Sequence, residues 1–251
     1  MKSTAWQSRS AALGICLAVV VAIPSHAAYV YIDTFTSNQT VTLSGGGPGF
    51  AFGFTNAAGV ALGNEREILI VRTNSPIGGD VVGQVMFGSL TNGVTYSANP
   101  GAFGNMAIIY DGSDGSINTN FAGLGSFDLT DNGLNDRFQI RGGADTANGS
   151  FTITVFSSAA NYSRQTLSVP GGTGTQATFT NFFFAFADMV DFGSGADFAD
   201  VNAIVFEMNG LGQAGIDMGI NLFVAIPEPI AWWPLAGLAA TALFRRRLVR
   251  K

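Results

Sequence analysis

Between Ala28 and Ala225 the sequence contains no cysteine, no histidine, no tryptophan and no lysine. Each absence excludes a chemistry. Without cysteine there is no disulfide and no thiol nucleophile, and without imidazole there is no Ser-His-Asp relay. A tetrahedral zinc site loses its usual ligands, and a Schiff base has no amine. The missing tryptophan removes the broadest platform for stacking on a sugar ring, leaving Tyr29, Tyr31, Tyr96, Tyr110, Tyr162 and surface phenylalanines. Positive charge is also scarce: Arg66, Arg72, Arg137, Arg141 and Arg164 face sixteen carboxylates, a formal charge of −11 that the whole-chain value of −5 conceals. Such a surface repels phosphate backbones, so no nucleic-acid partner is expected. It could collect divalent cations, and an acidic polysaccharide would need such a cation or a local arginine patch to approach.

The missing residue types sit at the two ends. Cys16, His26, Trp6 and Lys2 lie before Ala28, and Trp232, Trp233 and Lys251 lie after Ala225. Lys2 and Arg9 precede an apolar run from Ala11 to Ile23, and Pro24-Ser25-His26-Ala27 ends in small residues where a signal peptidase reads. Residues 1–27 are therefore expected to be a signal peptide cut after Ala27, with an uncleaved anchor as the alternative. Thirteen apolar residues are few for a membrane span. At the other end, Pro227-Glu228-Pro229 precedes fifteen residues from Ile230 to Phe244, then Arg245, Arg246 and Arg247. As a helix that run spans roughly 22 Å, short against a hydrocarbon core of about 30 Å. A buried core helix is the alternative, against which the clustered arginines argue, since they resist translocation and act as a stop-transfer anchor.

Pro-Glu-Pro, an apolar stretch and a terminal arginine cluster resemble the PEP-CTERM sorting signal of Gram-negative bacteria, over about a tenth of the chain. The resemblance implies that residues 226–251 hold the precursor in the inner membrane until an exosortase, a membrane-embedded cysteine transpeptidase, cuts near Pro227, Glu228 and Pro229. It also implies a host that makes exopolysaccharide and a product delivered to the cell surface or extracellular matrix.

Residues 28–225 alternate short apolar runs with Gly, Asn, Asp and Ser and show no stretch of helical period, which predicts an all-β domain, a single jelly-roll-like β-sandwich. Ile216-Asp-Met218-Gly-Ile220-Asn-Leu222 and Phe151-Thr-Ile153-Thr-Val155 alternate as half-buried strands do. Further strands are expected over Tyr29 to Thr36, Glu67 to Thr73, Val81 to Phe87, Met106 to Tyr110, Arg137 to Ile140, Thr178 to Phe186 and Asn202 to Met208. Phe182-Phe183-Phe184-Ala-Phe186 is too apolar for a wetted face and is expected at a sheet centre. Gly45 to Phe54 reads as a loop leading into a strand. Phe186-Ala-Asp188, Asp197-Phe198-Ala-Asp200-Val201-Asn202-Ala203-Ile204 and the alternating Ile216 to Leu222 resemble the closing strands of galactose-binding-like jelly rolls. That resemblance implies a last strand beside the first, and in some members sugar binding or a structural calcium.

The composition leaves carboxylate chemistry. Glu65, Glu67 and Glu207 are available for glycoside cleavage, although Glu65 and Glu67 flanking Arg66 read first as a solvated strand edge. Calcium is the metal that oxygen donors favour, with candidate ligands Asp111 and Asp114 in one turn and Asp128, Asp131 and Asp136 in another, both also ordinary turn chemistry. Asp188, Asp191, Asp197 and Asp200 form a third acidic loop. The threonine pairs Thr34/Thr36, Thr40/Thr42 and Thr152/Thr154 are too scattered for an ice-binding array. The leading expectation is a non-enzymatic structural or adhesive component associated with exopolysaccharide. A carbohydrate-binding module comes second and a glycan-cleaving enzyme third.

Overall fold

The computed structural model describes residues 28–74, 79–86, 92–210 and 212–228. Ala27 and the signal peptide, Pro229, and the tail with Arg245, Arg246 and Arg247 lie outside the described residues. The described residues form fourteen strands: β1 (Val30–Asp33), β2 (Gln39–Leu43), β3 (Gly49–Asn56), β4 (Glu65–Asn74), β5 (Val81–Met86), β6 (Gly93–Ala98), β7 (Phe103–Tyr110), β8 (Asn135–Ala144), β9 (Gly149–Phe156), β10 (Tyr162–Val169), β11 (Thr180–Ala185), β12 (Val190–Phe192), β13 (Ala203–Asn209) and β14 (Asp217–Pro227). Among the described residues no helix is long and apolar enough to cross a membrane.

Two antiparallel sheets form the sandwich. One runs β11-β8-β14-β6-β5-β2, with β1 also on β14; the other runs β12-β10-β9-β13-β7-β4-β3. The last strand closes beside the first, Val30 opposite Ala225, as the jelly-roll resemblance implies. Phe223 of β14 packs on Phe206, Phe138 and Tyr110 with ring centroids 5.4, 5.6 and 6.0 Å apart, joining the two sheets through the core.

Several elements differ from expectation. β2, β6, β10 and β12 carry too many polar or small residues to stand out by apolar alternation. In β14 the register against β8 shifts between Ile220 and Leu222; this bulge leaves Leu222 half-buried and turns Phe223 into the core. β11 is an edge strand rather than a sheet centre: Phe182 and Phe184 face the core, while Phe183 points outward and is exposed. Arg66, between the two glutamates, faces the interior. Its guanidinium forks onto Asp33, with Nε–Oδ2 2.5 Å and Nη2–Oδ1 2.7 Å, and Nη1 donates to Ser37 O. The Tyr110 hydroxyl and the Phe35 N–H also donate to Asp33, so the buried carboxylate is well supplied with donors.

Candidate functional site

The outer face of the second sheet follows from its register. Residues opposite one another share a face, which places Phe52, Leu69, Ala107, Glu207, Thr152 and Thr166 in one row. A second row holds Phe54, Glu67, Ile109, Val205, Thr154 and Arg164, with Val190 of β12 beyond. A third holds Phe50, Val71, Asn105, Asn209, Ser150 and Ser168. Residues in the middle are nearly closed off, Thr152 and Ile109 at 4% exposure, whereas Phe52 on one edge strand is 49% and Val190 on the other 62% exposed. Over its inner strands the face, hereafter the trough, is more covered than along its two edge strands.

Its floor mixes polar groups with Leu69, Val71, Ala107, Ile109 and Val205, and aromatic rings stand along the β3 rim and at the opposite corner. Arg164 Nη2 meets Glu207 Oε2 at 2.8 Å, and the hydroxyls of Thr152 and Thr166 are 2.8 Å apart. A cavity of about 260 Å³ opens among Val71, Thr73, Gly104, Asn105, Asn209 and Gly212. On the β3 rim Phe50 and Phe52 stack with centroids 6.5 Å apart. At the opposite corner Tyr162 stacks on Phe192 at 4.5 Å and 11°, and Phe156 adjoins Tyr162 at 5.1 Å. The phenylalanines of β3 point outward because the sandwich is thin at this edge: a Cβ on Gly53 would lie 3.0 Å from Val41 Cγ2 of β2. Small residues take the inner positions of β3, which leaves the large ones for the rim.

One end of the trough is covered by the segment from Asp111 to Gly125, which leaves β7 and folds over the start of β4. Its Phe121 packs on Phe156 with centroids 5.2 Å apart. Beneath it lie Glu65 and Glu67, buried rather than on a solvated edge, together with buried Asp111 and exposed Asp114. Carboxylate oxygens of Glu65, Glu67 and Asp114 come within 4.8 Å of one another. Backbone N–H groups hold three of the acids: Gly115 donates to Glu65 at 2.9 Å, Ser116 to Asp114 at 2.8 Å and Asn120 to Asp111 at 2.5 Å. Neither oxygen of Glu67, nor Oδ1 of Asp111, meets an N–H or O–H donor, although the Glu67 and Asp111 carboxyls lie close enough to share a proton. Burial, followed by the charges of Asp111 and Asp114, pushes the Glu67 carboxyl up to about 9. Burial likewise raises Asp111.

The other anticipated residues fall elsewhere. Asp128 caps its own turn through Thr130 and the Asn132 N–H, contacts that hold its carboxyl below the usual range. Asp131 accepts from the Ala28 N–H at 2.9 Å, and Asp136 pairs with Arg137 at 2.8 Å. These three make turn, tether and ion-pair contacts instead of converging as ligands. In the third acidic loop Asp191 accepts from Ser163 and Asp197 from the Ala199 N–H. Tyr96 and Tyr110 are fully buried and are no sugar platforms. Pro227 ends β14, and Glu228 lies 3.3 Å from Arg137. Tyr31 borders a larger cavity of about 640 Å³ with Thr34, Val60, Leu62, Leu124 and Phe127, walled mostly by glycine and aliphatic groups. The sequence reading missed the outward face of β3 and the union of Glu65 and Glu67 with Asp111 and Asp114. The Gly-Phe-Ala-Phe-Gly-Phe alternation was the available signal for the first.

No protein-family model matches the chain, and no curated protein matches it in sequence. Among solved structures the chain is similar to the family 11 carbohydrate-binding module of a cellulosomal cellulase of Clostridium thermocellum, at 10% identity over 81% of this chain and 96% of that one, TM-score 0.39. The same module in complex with a β-1,3-1,4-mixed-linked tetrasaccharide matches at 11% identity over 79% and 95%, TM-score 0.40. A family 29 carbohydrate-binding module complexed with mannohexaose matches at 15% over 71% and 91%, TM-score 0.34.

Proposed function

We propose that this chain is an exported, non-enzymatic glycan-binding protein whose β-sandwich takes an extended, uncharged polysaccharide segment along the outer trough of the second sheet. The observation that carries the proposal is the pairing of chemistries on that face. Phe50, Phe52, Tyr162 and Phe192 offer apolar ring faces to sugar C–H groups, while Arg164, Glu207, Thr166, Asn105 and Asn209 offer donors and acceptors to hydroxyls. Seven strands at about 4.8 Å spacing make the face roughly 29 Å wide, enough for several sugar units. The charge of −11 over residues 28–225 disfavours acidic chains.

This choice sets carbohydrate binding ahead of a purely structural or adhesive role, for which a rimmed trough has no use. It also disfavours glycan cleavage. Glu207 is held by Arg164 and Glu67 is buried, so the described floor does not present two accessible carboxylates across a cleft. Sorting by an exosortase to the surface or exopolysaccharide matrix of a Gram-negative bacterium, after signal-peptidase cleavage, belongs to the same proposal and rests on the terminal residues. The test is calorimetric titration of the full chain in detergent with neutral glucan and mannan oligosaccharides and with the host's exopolysaccharide. Saturable binding to at least one is expected, and folded protein that binds none would end the reading.

A further inference from the structure

We infer that Glu65, Glu67, Asp111 and Asp114 form a binding site for a hard divalent cation of the calcium class, beneath the segment that covers one end of the trough. Glu67 supplies the observation beyond acidity. It is fully buried, its carboxylate oxygens meet no N–H or O–H donor, and one of them lies within 4.8 Å of carboxylate oxygens of Glu65 and Asp114. A buried carboxylate with no donor costs several kcal/mol in general, so folded chains neutralise it with a proton, an arginine or a metal.

Among the described residues no arginine is directed at the site, which leaves a proton in the metal-free chain and a metal in the loaded one. Arg66 turns inward to Asp33, Arg164 pairs with Glu207 and Arg137 with Asp136 and Glu228. Arg72 and Arg141 donate to backbone carbonyls, and residues 28–225 contain no lysine. The donor set is oxygen throughout, which suits calcium or magnesium and offers nothing to metals that prefer nitrogen or sulfur. The acids are also partly arranged in advance, because the N–H groups of Gly115, Ser116 and Asn120 hold three of the four carboxylates. Carboxylates drawn from two strand ends and a loop match calcium's irregular shell better than the strict octahedron of magnesium.

A bound ion would tie β4 to the segment that leaves β7. Because Phe121 of that segment packs on Phe156, the ion would also fix the aromatic corner of the trough. The site stands on the buried carboxylates alone and does not depend on glycan binding.

The experiment titrates calcium, and in parallel magnesium, into chelator-stripped full chain, with calorimetry and melting temperature as readouts. Saturable uptake of calcium with a raised melting temperature is expected, magnesium binding more weakly. Asp114→Asn should weaken uptake about tenfold or more by removing ligand charge. Glu67→Gln should abolish uptake and the calcium-dependent rise, yet leave the metal-free melting temperature at or above that of the unmodified chain, since an amide carries no charge for burial to penalise. Asp136→Asn, paired at a different place, should bind calcium normally. No uptake at millimolar calcium, or uptake unchanged in both Asp114→Asn and Glu67→Gln, would overturn the site. Preference for magnesium would overturn its class. Should Glu67→Gln fail to fold, Asp114→Asn decides, because its side chain is exposed.

Discussion

Replacing Phe52 with alanine tests the trough, and Phe183→Ala provides a matched control. Phe52 is 49% exposed on an edge strand of the second sheet and Phe183 is 47% exposed on an edge strand of the first. The two truncations therefore remove similar accessible surface from similar places. A phenylalanine side chain can bury about 150–250 Å², so roughly 100 Å² of Phe52 remains to be covered by ligand. At about 25 cal/mol per Å² this sets a ceiling near 2.5 kcal/mol. Ordering of the glycan and of the ring absorbs part of it, leaving about 1–2 kcal/mol, a fivefold to thirtyfold loss of affinity. Both variants should keep their stability to within about 1 kcal/mol, as exposed positions do. Calorimetric titration with the best-binding oligosaccharide reads the affinity, and thermal melts read the fold. The reasoning fails if Phe183→Ala loses as much affinity as Phe52→Ala, or if Phe52→Ala binds like the unmodified chain.

Arg66→Ala leaves Asp33 charged inside the core without its guanidinium, and should cost about 3–5 kcal/mol in chemical denaturation; a loss below about 1 kcal/mol would contradict the assigned burial. Glu67 titrates near 4.3 in an unfolded chain and is pushed up to about 9 in the fold. Its contribution to stability is therefore fully present below about pH 4 and is lost as pH rises toward 9. Melting temperatures of chelated protein should fall across that window, and a steady rise would count against the buried carboxylate. Intact mass of the protein recovered from its native host should lack residues 1–27 and the tail beyond Pro227. Retention of Arg245 to Lys251 would remove the sorting proposal.

Much of the sandwich was legible because alternation is local. Phe151 to Val155 carries its own period of two, and so do the inward Met218 and Ile220, so each announces a strand before any partner is known. Strands such as β10, with Ser163, Arg164, Gln165 and Thr166 at its centre, lack that signature because both of their faces are largely polar. The Phe182 to Phe186 run was misplaced for a related reason. Its apolar character forbids a fully wetted strand, but it cannot tell a central strand from an edge strand whose Phe183 is left exposed.

The sequence alone determined the class of chemistry. Removing Cys, His, Lys and Trp from residues 28–225 excludes several reaction types wherever the chain folds, because composition does not depend on contacts. It also marked an all-β chain, and its resemblance to galactose-binding-like jelly rolls implied a last strand beside the first. Only the tertiary structure decided which acids meet and which rings face outward. Glu65 and Glu67 are buried because a segment some fifty residues later folds over them, and Phe52 is exposed because β2 leaves no room inside β3. Both outcomes depend on register and packing between distant strands, which no local pattern of residues specifies.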